Sequence, residues 1–127
     1  PTVVTAGDLI TVKVTVDKAV DGAELIVVLA EKEVAFKGGN GIAFHKMVVR
    51  DMKAVTFESP EVTFALAASA KTTDEYMTEF EKTYTRSPNY KFPVRYNAIG
   101  RDDLKIVVFV QNKETKEVLN AASLDVK

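Results

Sequence analysis

The chain has 127 residues, with 17 lysines and arginines against 18 aspartates and glutamates, so its formal net charge is −1. It contains no cysteine, which excludes disulfides, thiolate zinc sites and thiol nucleophiles. The near-neutral charge argues against a dedicated nucleic-acid binder, and no apolar run approaches the roughly 20 residues that span a bilayer. The length predicts a single domain over residues 1–127.

The first third of the chain contains two strong strand patterns. Within residues 8–17, isoleucine and valine at even positions alternate with threonine and lysine, which predicts a half-buried strand. Residues 24–36 hold the aliphatic run 25–30, which predicts a central strand. The charged residues that begin at Glu31 predict that this strand then leaves the core.

The next segments predict a chain reversal followed by an interrupted strand. Residues 37–41 contain three glycines and an asparagine, a composition typical of a turn. A phosphate-binding loop is the alternative, but no Gly-Lys-Ser/Thr follows and no helix pattern begins there. Residues 42–50 predict a strand, and residues 54–58 predict its continuation after a bend.

The middle of the chain changes from a strand period to a helical period. Residues 61–70 alternate as a strand, whereas Tyr76, Phe80 and Tyr84 recur at every fourth position. Thr72 and Glu75 form a capping-box pair, and we therefore predict an amphipathic helix over 73–84 with its acidic residues in solvent. An extended reading remains open, because Tyr76, Thr78, Phe80 and Tyr84 would also share one strand face.

The last segment is a predicted hairpin. Residues 104–111 are apolar at every even position and also at Val107 and Phe109, a pattern typical of a mid-sheet strand covered on both faces. Residues 112–115 have the composition of a tight turn, and 118–126 form the return strand. The elements together predict a mainly β fold, an antiparallel β-sandwich of immunoglobulin-like or jelly-roll-like type with one inserted helix.

Three segments carry a family resemblance. The first is LIVVLAE at 25–31 with Gly-Asn-Gly at 39–41, the second is HKMVVR at 45–50, and the strongest is VVFVQNKETKEVLNA at 107–121. Together they resemble the β-sandwich domain that follows thioredoxin-like domains in secreted and outer-membrane-associated bacterial proteins. The resemblance implies a sandwich fold and a place outside the cytoplasm, but no catalytic residue. The chain has no Cys-x-x-Cys, so no redox role is assigned.

Residues that could carry catalysis or bind metal are few. His45 is the only histidine, and a histidine metal site normally has histidine or cysteine partners. The odd spacing to Arg50 places the two on opposite strand faces unless a bulge intervenes. Asp102 and Asp103 suit a turn, and the acidic residues lack the spacing of a calcium loop. We predict no enzyme activity, no cofactor and no metal.

The best candidate binding surface is an aromatic and basic arm at 84–96. Its candidate ligand-binding residues are Tyr90, Phe92, Arg95 and Tyr96. Aromatic rings interleaved with cations suit glycans, single-stranded nucleic acid or an acidic protein edge. Because the chain is not basic, nucleic acid is the weakest of these ligands. The alternative is that the rings pack the arm onto the sandwich while the cations extend to solvent.

These patterns favour a non-catalytic extracellular or cell-envelope module that acts in protein association. Self-assembly is one version, because the chain begins with a detached VVTAG segment at 3–7 that could complete a neighbour's sheet. Pro1 in place of an initiator methionine indicates a processed product or an excised domain. The alternative function is binding of a small ligand or carbohydrate by the arm at 84–96.

Overall fold

A computed structural model describes residues 1–35, 41–84, 91 and 98–127. Within these, two antiparallel sheets pack against each other, with strand orders β1-β2-β5 and β4-β3-β6-β7. The elements are β1 (Thr2–Ala6), β2 (Leu9–Lys13), β3 (Ala23–Ala35), β4 (Phe44–Val55), β5 (Glu61–Ala65), helix α1 (Leu66–Thr83), β6 (Leu104–Asn112) and β7 (Val118–Asp125). The prediction of an antiparallel β-sandwich with one helix is confirmed.

The core consists of the inward faces of both sheets. The fully buried large side chains are Phe64, Ile10, Leu25, Leu29, Leu104, Ile106, Val12 and Val27. In β2 the alternation works as predicted, since Ile10 and Val12 are buried while Lys13 is exposed. The inward faces of β2, β3, β5 and β6 therefore enclose one continuous hydrophobic core.

Strand β3 is buried on both faces, as the aliphatic run predicts. Ile26, Val28 and Ala30 are buried on the face opposite to the core, between β4 and β6. The strand leaves the core one residue later than predicted, since Glu31 is buried whereas residues 32–35 are half-buried or exposed. β3 continues to Ala35 and Glu31 is buried, because an arginine of β4 and a backbone amide satisfy its carboxylate.

The terminal hairpin forms as predicted, but only one of its strands lies inside the sheet. β6 lies between β3 and β7, while Val107 and Phe109 on its second face are only half-buried. The turn is closed by Asn112, whose Oδ1 accepts the N–H groups of Glu114 and Thr115 at 2.9 Å. β7 is the outer strand of its sheet and is largely exposed.

Strand β1 pairs with a strand of the same chain. It pairs with β2 in an antiparallel ladder from Thr2↔Lys13 to Ala6↔Leu9, across a turn at Gly7. The prediction of a detached VVTAG segment at 3–7 is therefore wrong. The reason is that the turn at Gly7, whose φ of 59° favours glycine, folds the segment back beside β2.

Helix α1 begins earlier than predicted and uses a different cap. It spans Leu66–Thr83 and follows β5 directly, so the predicted strand at 61–70 ends at Ala65. The hydroxyl of Thr72 donates to Ala68 O inside the helix, so the predicted capping box does not form. Asp8 caps the helix instead: its Oδ2 accepts the Ala67 N–H at 2.9 Å.

The sequence predicted that the side of α1 with Tyr76 and Phe80 faces the core, and this prediction is wrong. Tyr76 is 73% exposed, and Phe80 is exposed as well. Ser69 and Glu81 are buried instead, although Glu81 was expected on the solvated face. Ser69 faces β4, where its hydroxyl donates to Asp51, and a local period does not report this distant contact. No helix in the described part of the chain is long and apolar enough to cross a membrane.

The Asp8 cap gives a testable stability effect. Asp8→Ala removes an acceptor at the helix start, so we expect a loss of about 1 kcal/mol in the free energy of unfolding, measured by urea denaturation. Asp21→Ala, in an exposed turn, is the control and should change stability by less than about 0.5 kcal/mol. Equal effects of the two substitutions would show that the cap contributes nothing.

Candidate functional site

The two sheets have unequal widths, and this leaves one side of the sandwich open. On the closed side, β5 lies next to β4, where Lys53 Nζ donates to Thr63 O at 2.9 Å. One sheet has three strands and the other has four, so the larger sheet extends one strand further on the opposite side. Among the residues that the structure describes, no strand lies opposite β7. Asn120 and Ala122, which continue the inner face of the sheet onto β7, are consequently exposed.

An apolar groove with a volume of about 360 Å³ lies on this open side. One wall is the segment that follows β2, including Val14 and Val16, and the other is β7, including Leu119 and Ala122. The rest of the apolar lining comprises Pro1, Val20, Leu25, Val108, Phe109 and Val110, and polar residues including Asp17, Lys18 and Asn120 also line the groove. A concave apolar surface of this kind suits an apolar side chain of a partner.

The groove also offers backbone hydrogen bonds. Val14 N–H donates to Pro60 O at 2.8 Å, toward β5. The next residue, Thr15, lines the groove. The ladder between β1 and β2 ends at Lys13, so Thr15 lies beyond it. Apolar lining beside backbone donors and acceptors is the arrangement that binds an extended peptide.

Strand β7 adds a sheet edge to the groove. Val118 is 52% and Leu119 45% exposed, and Leu119 lies at the register shift between β6 and β7. Natural sheet edges are usually protected by charge, proline or a covering element. The central residues Ala121, Ala122 and Ser123 are small, uncharged and exposed. This edge is therefore open to another strand.

A buried ion pair closes one end of the sandwich. Arg50 is the extra residue at a β-bulge, since Leu29 pairs with Asp51 while Ala30 pairs with Val49. Arg50 Nη2 donates to Glu31 Oε2 at 3.2 Å, and both side chains are 8% exposed. The Gly100 N–H donates to Glu31 Oε1 at 2.7 Å, which holds the chain before β6 against the sheet.

This ion pair is a feature that sequence reasoning missed. The sequence pattern indicates Arg50 only as a possible partner of His45. From the sequence, His45 and Arg50 share a strand face only if a bulge lies between them. The structure has a bulge at Arg50, and the arginine pairs with Glu31. The signal that could have found it is one charged residue of each sign within two neighbouring apolar strands.

A polar recess of about 350 Å³ lies between β4, β5 and α1. Ser69 Oγ donates to Asp51 Oδ2 at 2.6 Å, and Asp51 Oδ1 accepts the Met52 N–H at 2.8 Å. Lys53 Nζ lies 5.1 Å from the centre of the Phe64 ring. The serine donates to a carboxylate that already accepts a backbone amide, so the arrangement anchors the helix on the sheet rather than activating a nucleophile.

Charged side chains also surround the end of β7. Asp125 lies 3.3 Å from Lys105 Nζ and 3.6 Å from Lys32 Nζ. The hydrogen bond from Lys105 and the charges of both lysines lower the pKa of the Asp125 carboxyl from its ordinary value. Lys32 also pairs with Asp103, whose Oδ2 accepts the Glu33 N–H at 3.0 Å. The predicted turn at Asp102 and Asp103 forms a short 3₁₀ helix.

The remaining candidates are placed as follows. The candidate ligand-binding residues Tyr90, Phe92, Arg95 and Tyr96 lie outside the described residues. His45 is half-buried on β4 and pairs in register with Val34. It lines neither the groove nor the polar recess. Across residues 1–35, 41–84, 91 and 98–127, no group of three or more metal-ligating side chains occurs.

A second exposed apolar surface runs along β4. Its members Met47, Val49 and Met52 are each more than two-fifths exposed. This surface lies on an outer strand that also carries charged residues, including Lys46 and Lys53. The groove beside β7 combines apolar lining with a concave shape, so it is the stronger candidate.

Comparisons with protein-family models, with curated proteins and with solved structures find no match. The resemblance to the envelope domains that follow thioredoxin-like domains therefore stays a prediction.

The buried ion pair predicts a large and asymmetric mutational effect. Arg50→Met leaves the Glu31 carboxylate buried without its cation, so we expect a loss of about 3 kcal/mol in the free energy of unfolding by urea denaturation. The double variant Glu31→Leu/Arg50→Met removes both charges and should be more stable than Arg50→Met alone. Arg101→Met, at an exposed position, is the control. A double variant no more stable than the single one would contradict this account.

Proposed function

We propose that the chain is a non-catalytic β-sandwich module of the cell envelope or extracellular space that acts in protein association. The observation that carries the proposal is the open side of the sandwich, where the apolar groove lies beside β7. An extended segment of a partner protein binds there, with its backbone on the sheet edges and an apolar side chain in the groove.

The two sides of the sandwich differ in their polar contacts, and this difference supports the proposed role in protein association. The closed side is tied by Lys53 to β5 and by the hydrogen bond from Ser69 to Asp51. The open side has exposed apolar residues at Val118 and Leu119 and no comparable polar ties among the described residues. An exposed apolar strand edge is costly to keep in a soluble module unless a partner uses it.

The place of action rests on the sequence resemblance. The segments at 25–31, 45–50 and 107–121 resemble bacterial envelope domains. An extracytoplasmic module would associate with neighbouring domains, other subunits or a surface polymer. Cell fractionation with an antibody against the chain is the measurement, and recovery in the cytoplasm alone would contradict the proposed location.

Carbohydrate or small-ligand binding by the arm at 84–96 stays a prediction. It depends on exposed rings of Tyr90, Phe92 and Tyr96 beside Arg95, which lie outside the described residues. Tyrosine fluorescence quenching across a glycan panel is its test. Quenching that is lost in Tyr96→Ala would support this second function.

Site-specific photo-cross-linking tests the association role. With a photoreactive residue in place of Leu119, the chain expressed in its own cells should give discrete protein adducts. Adding Ala122→Arg puts a charge into the groove, so we expect the adduct yield to fall at least about tenfold, measured by mass spectrometry and blotting.

The control places the same substitution on a surface away from the groove. Ala54→Arg lies on β4, at an exposed position, and should leave the adducts of the Leu119 probe unchanged. Thermal unfolding of both arginine variants establishes that each one folds. Absence of adducts at Leu119, or equal adducts after Ala122→Arg, would remove the association role.

A further inference from the structure

We propose that the polar recess between β4, β5 and α1 is a second binding site, which holds the ammonium and carboxylate groups of a free α-amino acid between Asp51 and Lys53. The recess has a volume of about 350 Å³ and shares no lining residue with the groove beside β7. The inference therefore goes beyond the association role and does not depend on it.

Two opposite charges line this recess. Asp51 and Lys53 are two residues apart on β4, and their register partners Leu29 and Val27 both lie in the core. Both charged side chains therefore leave the inner face of the strand, with Cβ atoms about 6.6 Å apart at the usual rise of a strand. Both are half-buried, which strengthens their attraction for a ligand.

The two charges do not neutralise each other. Asp51 Oδ2 accepts the hydroxyl hydrogen of Ser69 at 2.6 Å, and its Oδ1 accepts the Met52 N–H. Lys53 Nζ donates to Thr63 O, which leaves two of its three N–H groups for a ligand. Within the described residues neither charge forms an ion pair. A bound zwitterion supplies the opposite charge to each.

The carboxylate of Asp51 is already ordered for binding. Ser69 lies on α1 and is only 5% exposed, so its hydroxyl is a fixed donor. Together with the Met52 N–H it holds both carboxylate oxygens in place. Each oxygen keeps a lone pair for a ligand ammonium. Binding therefore orders little of the protein, which favours affinity for a small ligand.

The cationic end of the recess is held in a similar way. Lys53 Nζ lies 5.1 Å from the centre of the Phe64 ring, in addition to its bond to the β5 backbone. The rest of the lining includes Ala65, Ala68 and Thr72, whose side chains are small. This lining suits an amino acid with a small side chain, such as alanine.

Ligands with a single charge fit the recess less well. A carboxylic acid that binds Lys53 leaves Asp51 without a cation, and an amine that binds Asp51 leaves Lys53 without an anion. A divalent metal ion prefers several oxygen ligands, whereas Asp51 is the only carboxylate in this lining and Lys53 repels a cation. The charge pattern therefore selects a molecule that carries both charges.

A titration followed by NMR tests the class of ligand. L-Alanine should shift the amide signals of Ser69 and Thr72 in a saturable way. N-acetyl-L-alanine lacks the ammonium and L-alaninamide lacks the carboxylate, so each should bind at least about tenfold more weakly. Equal binding of either analogue would overturn the proposal, as would the absence of a saturable shift at the solubility limit of L-alanine.

Charge-removing substitutions test the two assigned residues. Asp51→Asn keeps an acceptor for the Ser69 hydroxyl, and Lys53→Met keeps the apolar stem, so each should weaken L-alanine binding about tenfold. Lys46→Met, on the same strand but outside the recess, is the control and should leave binding unchanged. Thermal unfolding establishes that each variant folds. Undiminished binding by folded Asp51→Asn and Lys53→Met would place the amino acid elsewhere and overturn this site.

Discussion

The burial of β3 on both faces is the constraint on which the rest of the structure depends. Its core face carries Leu25, Val27 and Leu29, and its opposite face carries Ile26 and Val28. A strand this apolar is stable only with a neighbour on each side and a second sheet across the core. β4 and β6 supply the neighbours, and β2 and β5 supply the second sheet. The position of β7 at the margin follows from this order.

The polar interactions of the fold lie on the closed side of the sandwich, beside β4 and β5, and at the end that Glu31 and Arg50 close. Lys53, Asp51 and Ser69 join β4 to β5 and α1, and Glu31 with Arg50 fixes the chain that enters β6. Buried charges cost free energy unless they are paired, so these groups specify one arrangement more than they add stability. The groove on the open side is mainly apolar, and burial of apolar surface by a partner is favourable. This asymmetry links the fold to the proposed association.

The groove and the edge of β7 meet on the same open side. The groove lies between the sheets, whereas the edge of β7 continues the plane of one sheet. The proposed partner segment uses both, with its backbone on the edge and an apolar side chain in the groove.

The sequence by itself determined the faces of β2 and the central run of β3, because alternation and apolar runs are local properties of the chain. It predicted the half-buried β2, the central β3 and the hairpin with its turn at 112–115. Only the tertiary structure decided where α1 begins, since its cap at Asp8 is 59 residues from Ala67 in the chain. The same holds for the burial of Glu31 and for the open side beside β7. Those features depend on which distant segments meet, and no local pattern carries that information.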